Sequence, residues 1–71
     1  MILAIHHMDG RCIAESWFGA EWPTAVPVWT RRVIQLEFNC RSDDIGMSAT
    51  EDDVFTVCGH PVVRVVSRSI N

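Results

Sequence analysis

From Val28 to Phe38 the chain alternates in a way that reads as a strand. Val28, Thr30, Arg32, Ile34, Leu36 and Phe38 fall on even positions, and Trp29, Arg31, Gln35 and Glu37 are among the odd ones. A period of two over this length predicts a half-buried strand, with Trp29 and Arg31 sharing the outer face. Residues 2 to 18 read as a β-hairpin. Asp9-Gly10 is a strong two-residue turn signal between apolar-rich arms, because both turn residues need a positive φ. A two-residue loop there sets His7 against Cys12, Ile5 against Ala14 and Leu3 against Ser16. Ile2, His6, Met8, Ile13 and Trp17 then share the other face, so both faces of the hairpin carry apolar residues.

Between these elements, residues 19 to 27 hold Gly19, Pro23 and Pro27, which argues for a loop or an irregular edge. Residues 39 to 50 have few periodic cues and read as a long loop. Residues 51 to 58 are open to two readings. Thr50 as N-cap, Asp53 three residues on and Gly59 beyond the end suit a short helix. Val54-Phe55-Thr56-Val57 is a β-branched and aromatic run that suits a strand, and the strand is preferred. Val62 to Arg68 completes the set, with Gly59-His60-Pro61 as the turn before it. The expected fold is mainly β: a small antiparallel barrel or sandwich of four to five strands. The alternative is an α+β fold with one short helix near 51–58 on the sheet.

With 71 residues there is room for one core, so residues 1–71 form one domain, and the 48% apolar content is what fills it. No apolar run approaches the roughly 18 residues of a membrane span, and Met1 to Ile5 lacks the basic flank of a signal peptide. A cytoplasmic location is expected. Cys12, Cys40 and Cys58 are odd in number, which excludes a complete internal disulfide set and predicts reduced thiols filling the β core.

The formal charge of −3 is unevenly spread. Residues 42 to 63 carry Asp43, Asp44, Glu51, Asp52 and Asp53 with no Lys or Arg, giving −5; the remainder sets six arginines against Asp9, Glu15, Glu21 and Glu37, giving +2. Such crowding of carboxylates is self-repulsive and marks a candidate surface for a basic partner. Trp22, ahead of Pro23 in the expected loop, joins it as an exposed aromatic of the kind that anchors interfaces.

Other chemistries find less in the chain. Cys58-Gly59-His60 sets a thiol near an imidazole, and His6, His7, Cys12 and Cys40 are further ligand types. Zinc sites of the ribbon kind need close Cys pairs, and these cysteines are far apart in sequence, so no metal is expected and no cofactor. Cys12 opposite His7 is the one nucleophile and base pairing the hairpin supplies, and so small a domain encloses little substrate volume. No catalytic residue is assigned, and the chain reads as non-enzymatic. Trp29, Arg31, Arg64 and Arg68 are the alternative, nucleic-acid-binding set; the net negative charge makes direct binding of RNA or DNA the lesser reading.

The expectation that follows is a non-enzymatic protein-binding module, docking its acidic loop (Asp43, Asp44, Glu51, Asp52, Asp53, with Trp22) on a basic, nucleic-acid-handling protein. In size, compactness and lack of a catalytic motif the chain is similar in kind to small phage-encoded inhibitors such as anti-CRISPR proteins. A small-barrel nucleic-acid-binding domain is one alternative. The other is an accessory homodimer joined through the two-sided hairpin.

Overall fold

The computed structural model describes residues 1–68. Five strands form one antiparallel sheet: β1 (Ile2–His7), β2 (Cys12–Trp17), β3 (Ile45–Met47), β4 (Val54–Val57) and β5 (His60–Arg68). Their spatial order is β2-β1-β5-β4-β3, with β2 and β3 as edges, so the sheet is open and neither closes into a barrel nor stacks on a second sheet. One helix, α1 (Trp22–Phe38), lies against it. The mainly β expectation holds, and a sheet carrying one helix fits the α+β alternative equally. The helix, however, is not where that alternative placed it.

A hairpin forms around Asp9-Gly10, but not through the two-residue turn read from the sequence: the Gly10 N–H bonds the His7 carbonyl at 2.9 Å, the His7 N–H bonds the Arg11 carbonyl at 2.8 Å, and of the pair only Gly10 has a positive φ. Ile2 pairs with Trp17, Leu3 with Ser16, Ala4 with Glu15 and Ile5 with Ala14. A bulge between Ile5 and His6 then moves Cys12 from the expected His7 to His6. Gly10 takes φ 97°, and the Asp9 carboxylate accepts the Arg11 backbone N–H at 2.9 Å. That bond holds the Asp9 carboxyl below its ordinary value, with the Arg11 charge adding to the effect.

Residues 22 to 38 correct the sequence reading twice, since the expected loop over 19–27 and the expected strand over 28–38 make one continuous helix. Proline is tolerated in the first turn, where its missing N–H would be unpaired anyway, and Pro23 sits there. Glu21 is the N-cap residue: its carbonyl accepts the Ala25 N–H at 3.0 Å, while its side chain takes the Gly19 N–H at 3.2 Å. Bonds to the Glu21 and Gly19 backbones hold the Glu21 carboxyl below its ordinary value. Pro27 lies inside the helix and removes one ladder bond. Tertiary burial outweighs that loss: Thr30 and Ile34 are fully covered, and Val26, Trp29, Val33 and Phe38 are half-buried beside them. These positions recur every three to four residues, the helical period. The apparent alternation owed much to Val28 and Leu36, which are 61% and 80% exposed on the outer side of α1. Asn39, in the left-handed region at φ 50°, ends the helix.

Alternation on the sheet sends Leu3, Ile5, Phe55, Val63 and Val65 toward α1. Ile5, Ile34, Ile45 and Val63 form the buried centre, with Trp29, Val33 and Phe38 packed against them. The other face has no helix over it, yet Ala4 and Val54 are buried there. Ala4 stands between Glu15 and Val66, and Val54 opposite Arg64. Ion pairs roof these positions: Arg68 with Glu15, and Arg64 with Glu51 at 3.0 Å and Asp53 at 3.3 Å. Long arginine stems can cover apolar surface while their heads stay in water.

Within the segment 51–58, Val54–Val57 is the strand β4 and no helix forms, as preferred. The loop expected over 39–50 contains a 3-10 turn (Ser42–Asp44) and the short edge strand β3. The turn before β5 is Cys58-Gly59, with φ of 51° and 84°, and not Gly59-His60-Pro61; His60 already pairs with Val57. Cys12 and Cys58 are exposed, so they do not fill the β core as expected; Cys40 is half-buried and packs against the core cluster.

Ile34→Ala should lower stability by about 2–5 kcal/mol in urea denaturation, the range for a large buried side chain, while Leu36→Ala stays within about 0.5 kcal/mol. A larger loss at Leu36 than at Ile34 would mean the helix is turned the other way. Cys58→Asn should raise stability by about 0.5–1 kcal/mol, because asparagine accepts the left-handed conformation that Cys58 is held in; a decrease in the denaturation midpoint would contradict the turn assignment.

Candidate functional site

Four contacts fix the middle and the C-terminal end of α1. His7 Nε2 meets Glu37 Oε2 at 2.9 Å, and the His7 ring sits edge-on to Phe38 at 5.6 Å. Phe18 packs edge-on against Trp29 at 5.1 Å. Arg31 Nη1 donates to the Ser42 carbonyl at 3.2 Å, tying the helix to the turn before β3. Among the described residues no hydrogen bond joins residues 22–28 to the sheet. There, a cleft of about 380 Å³ opens between helix and sheet.

Val26 and Pro27 form its helix wall, and Met47, Phe55 and Val65 its sheet wall. Met47 and Phe55 are register partners across β3 and β4, and Phe55 is in turn opposite Val63 on β5. The walls are therefore apolar, with charge confined to Arg31 at one end and to Asp52 and Asp53 from the β3–β4 loop. Clefts that bind ligands commonly enclose about 300–1,000 Å³ with apolar walls and a few polar groups, and this one falls at the small end of that class.

The expected partner-binding residues divide around it. Asp52 and Asp53 are on its lining. Trp22 is 46% exposed, one helical turn before Val26 and on the same side of α1, although it stands in a helix and not in a loop. Asp43 and Asp44 precede β3 while Glu51 to Asp53 follow it, so the two acidic groups flank a strand roughly 10 Å long. Asp44 is partly committed to structure, accepting the Arg41 N–H at 3.1 Å. Glu51 and Asp53 are shared with Arg64. Asp43 and Asp52 form no ion pair among the described residues.

The alternative nucleic-acid-binding residues are dispersed. Trp29 and Arg31, read as neighbours on one strand face, are two positions apart on a helix: Trp29 packs on the core and Arg31 turns to Ser42. Arg64 and Arg68 do share a sheet face, and each is matched by a carboxylate. His7, the expected partner of Cys12, is held by Glu37 on the helix side, whereas Cys12 pairs with His6 in the sheet. Among the described residues no three His, Cys, Asp or Glu side chains group as a metal site, and no helix is long and apolar enough to cross a membrane.

Sequence reasoning missed Val26, Pro27, Met47, Phe55 and Val65 as a group. The signal was the helical spacing Val26, Trp29/Thr30, Val33/Ile34, which the two prolines and the competing alternation concealed. Comparison of the chain with known protein families, with curated proteins and with solved structures finds no match.

Arg31→Ala should lower stability by about 1 kcal/mol in urea denaturation, since it releases one charge-assisted bond between α1 and the β3 turn at an exposed site. An unchanged midpoint would show that this bond does not help to position the helix.

Proposed function

We propose that this protein is a non-enzymatic protein-binding module that receives a partner's basic surface at the cleft beside α1. The observation that carries the reading is the apolar cleft bordered by Asp52 and Asp53, with exposed Trp22 a turn away on the same side of the helix. An apolar concavity supplies burial, and carboxylates at its edge supply orientation and a faster encounter with a cationic partner. Asp43, at the other end of β3, extends the negative surface. A partner built to hold nucleic-acid phosphates would present the matching arginines and lysines, and an inhibitor acting this way occupies that groove with its own carboxylates.

The nucleic-acid-binding alternative draws less support from the arrangement. Arg64 and Arg68 are outnumbered by Glu51, Asp53 and Glu15 in their ion pairs, which leaves no net positive charge there for a phosphate backbone.

Capture from a cell lysate on immobilised protein, repeated with the Asp43→Asn and Asp52→Asn double variant, tests the reading. A bound protein should associate more slowly with the variant at low salt, with the difference shrinking as salt rises, because exposed charges are screened beyond about 8 Å at physiological ionic strength. Salt-insensitive capture that is the same for both proteins would contradict acidic docking, and retention of nucleic acid alone would favour the alternative.

A further inference from the structure

We infer that the cleft takes a single bulky apolar side chain, leucine, methionine or phenylalanine, carried on a partner segment with an arginine or lysine directly beside it. The inference rests on the protein-binding reading above and specifies what the partner must present. Three observations lead to it.

The first is size. A space of about 380 Å³ at the small end of ligand clefts holds one large side chain and part of its neighbour. It is too small to bury the several side chains that make up the apolar stripe of a partner helix. The second is the chemistry of the walls. Val26, Pro27, Met47, Phe55 and Val65 offer an incoming polar group no side-chain hydrogen-bond partner, so burying such a group against them would be penalised, while an apolar group gains from leaving water.

The third is charge. Asp53 is already shared with Arg64, whereas Asp52 lies on the same lining, exposed and without an ion-pair partner among the described residues. Arg31 is at the cleft too and keeps its charge while it donates to the Ser42 carbonyl, but Glu51, Asp52 and Asp53 still outnumber Arg31 and Arg64 there, three to two. The open electrostatic position beside the apolar space is therefore that of a cation next to Asp52. An apolar residue followed by a basic one satisfies both positions at once; an apolar residue followed by an acidic one sets like charges together.

Met47 gives a means of blocking the cleft without disturbing the core. It is 55% exposed at the end of an edge strand, outside the buried cluster. Met47→Lys places a charge on the apolar wall and adds repulsion toward the proposed basic flank.

The test uses the full chain, labelled with nitrogen-15, titrated with short end-blocked peptides that differ only in the central pair: Leu-Arg, Leu-Glu and Ser-Arg. The Leu-Arg peptide should shift the amide signals of Val26, Met47, Phe55 and Val65, and bind more tightly than either control. Asp52→Asn should weaken the Leu-Arg peptide by about 2- to 5-fold, the size of one exposed charge pair, and leave the Leu-Glu peptide no weaker. Met47→Lys, checked for an unchanged circular dichroism spectrum, should weaken the Leu-Arg peptide about tenfold or more. Ser-Arg binding as tightly as Leu-Arg would overturn the apolar anchor while leaving acidic docking in place. Leu-Arg signals that shift elsewhere on the molecule, or do not shift, would overturn the inference even if salt-dependent partner capture succeeds. Partner capture indifferent to Asp43 and Asp52 would remove the underlying reading instead.

Discussion

The structure depends on Ile34 seated on Ile5, Ile45 and Val63. An open antiparallel sheet has to cover at least one apolar face, and the described residues supply one α-helix with which to do so. The residues that meet at Ile34 come from β1, β3, β5 and α1, so the contact joins the first hairpin to the last and fixes where the helix crosses. Burial of this kind is worth about 1.5–3 kcal/mol per large aliphatic side chain. That scale is what allows α1 to form across Pro27, whose cost in a helix interior is of similar size and is reduced near the N-terminus.

The position of this anchor also decides where the cleft lies. Ile34 is in the C-terminal half of α1, and the His7–Glu37, Phe18–Trp29 and Arg31–Ser42 contacts hold the helix from its middle onward. The N-terminal half extends past the last of these ties over β4 and β3, where the apolar walls stand apart. Pro27 shortens the local hydrogen-bond ladder on that same half and contributes to the cleft wall. A residue that is unfavourable for the helix therefore borders the proposed binding space, a common pattern in which stability is given up near a functional surface.

The strands were legible because local chemistry and final environment agree. Asp9-Gly10 demands a tight turn whatever packs around it, and Val54-Phe55-Thr56-Val57 is β-branched or aromatic at each position. The helix was not legible, because Val28, Ile34, Leu36 and Phe38 support period two as readily as Val26, Trp29, Val33 and Ile34 support the helical period. Only the exposure of Val28 and Leu36, a tertiary outcome, separates the two. Two of the cysteines were misjudged for a related reason: Cys58 is placed by a turn that requires positive φ, and Cys12 by a bulge, not by burial. At the site, the acidic residues could be counted from the sequence. Their division by β3, and the neutralisation of Glu51 and Asp53 by Arg64, depended on a register that no local signal encodes.

That one helix seated at Ile34 makes both the core and the cleft is tested most directly by nuclear Overhauser spectra of the methyl groups, with backbone carbon shifts, on the full chain in solution. The expected result is helical shifts from Trp22 to Phe38, with contacts from the Ile34 methyls to Ile5, Ile45 and Val63. Extended shifts over 28–38, with Ile34 contacts running to a neighbouring strand in register and none to Val63, would contradict it.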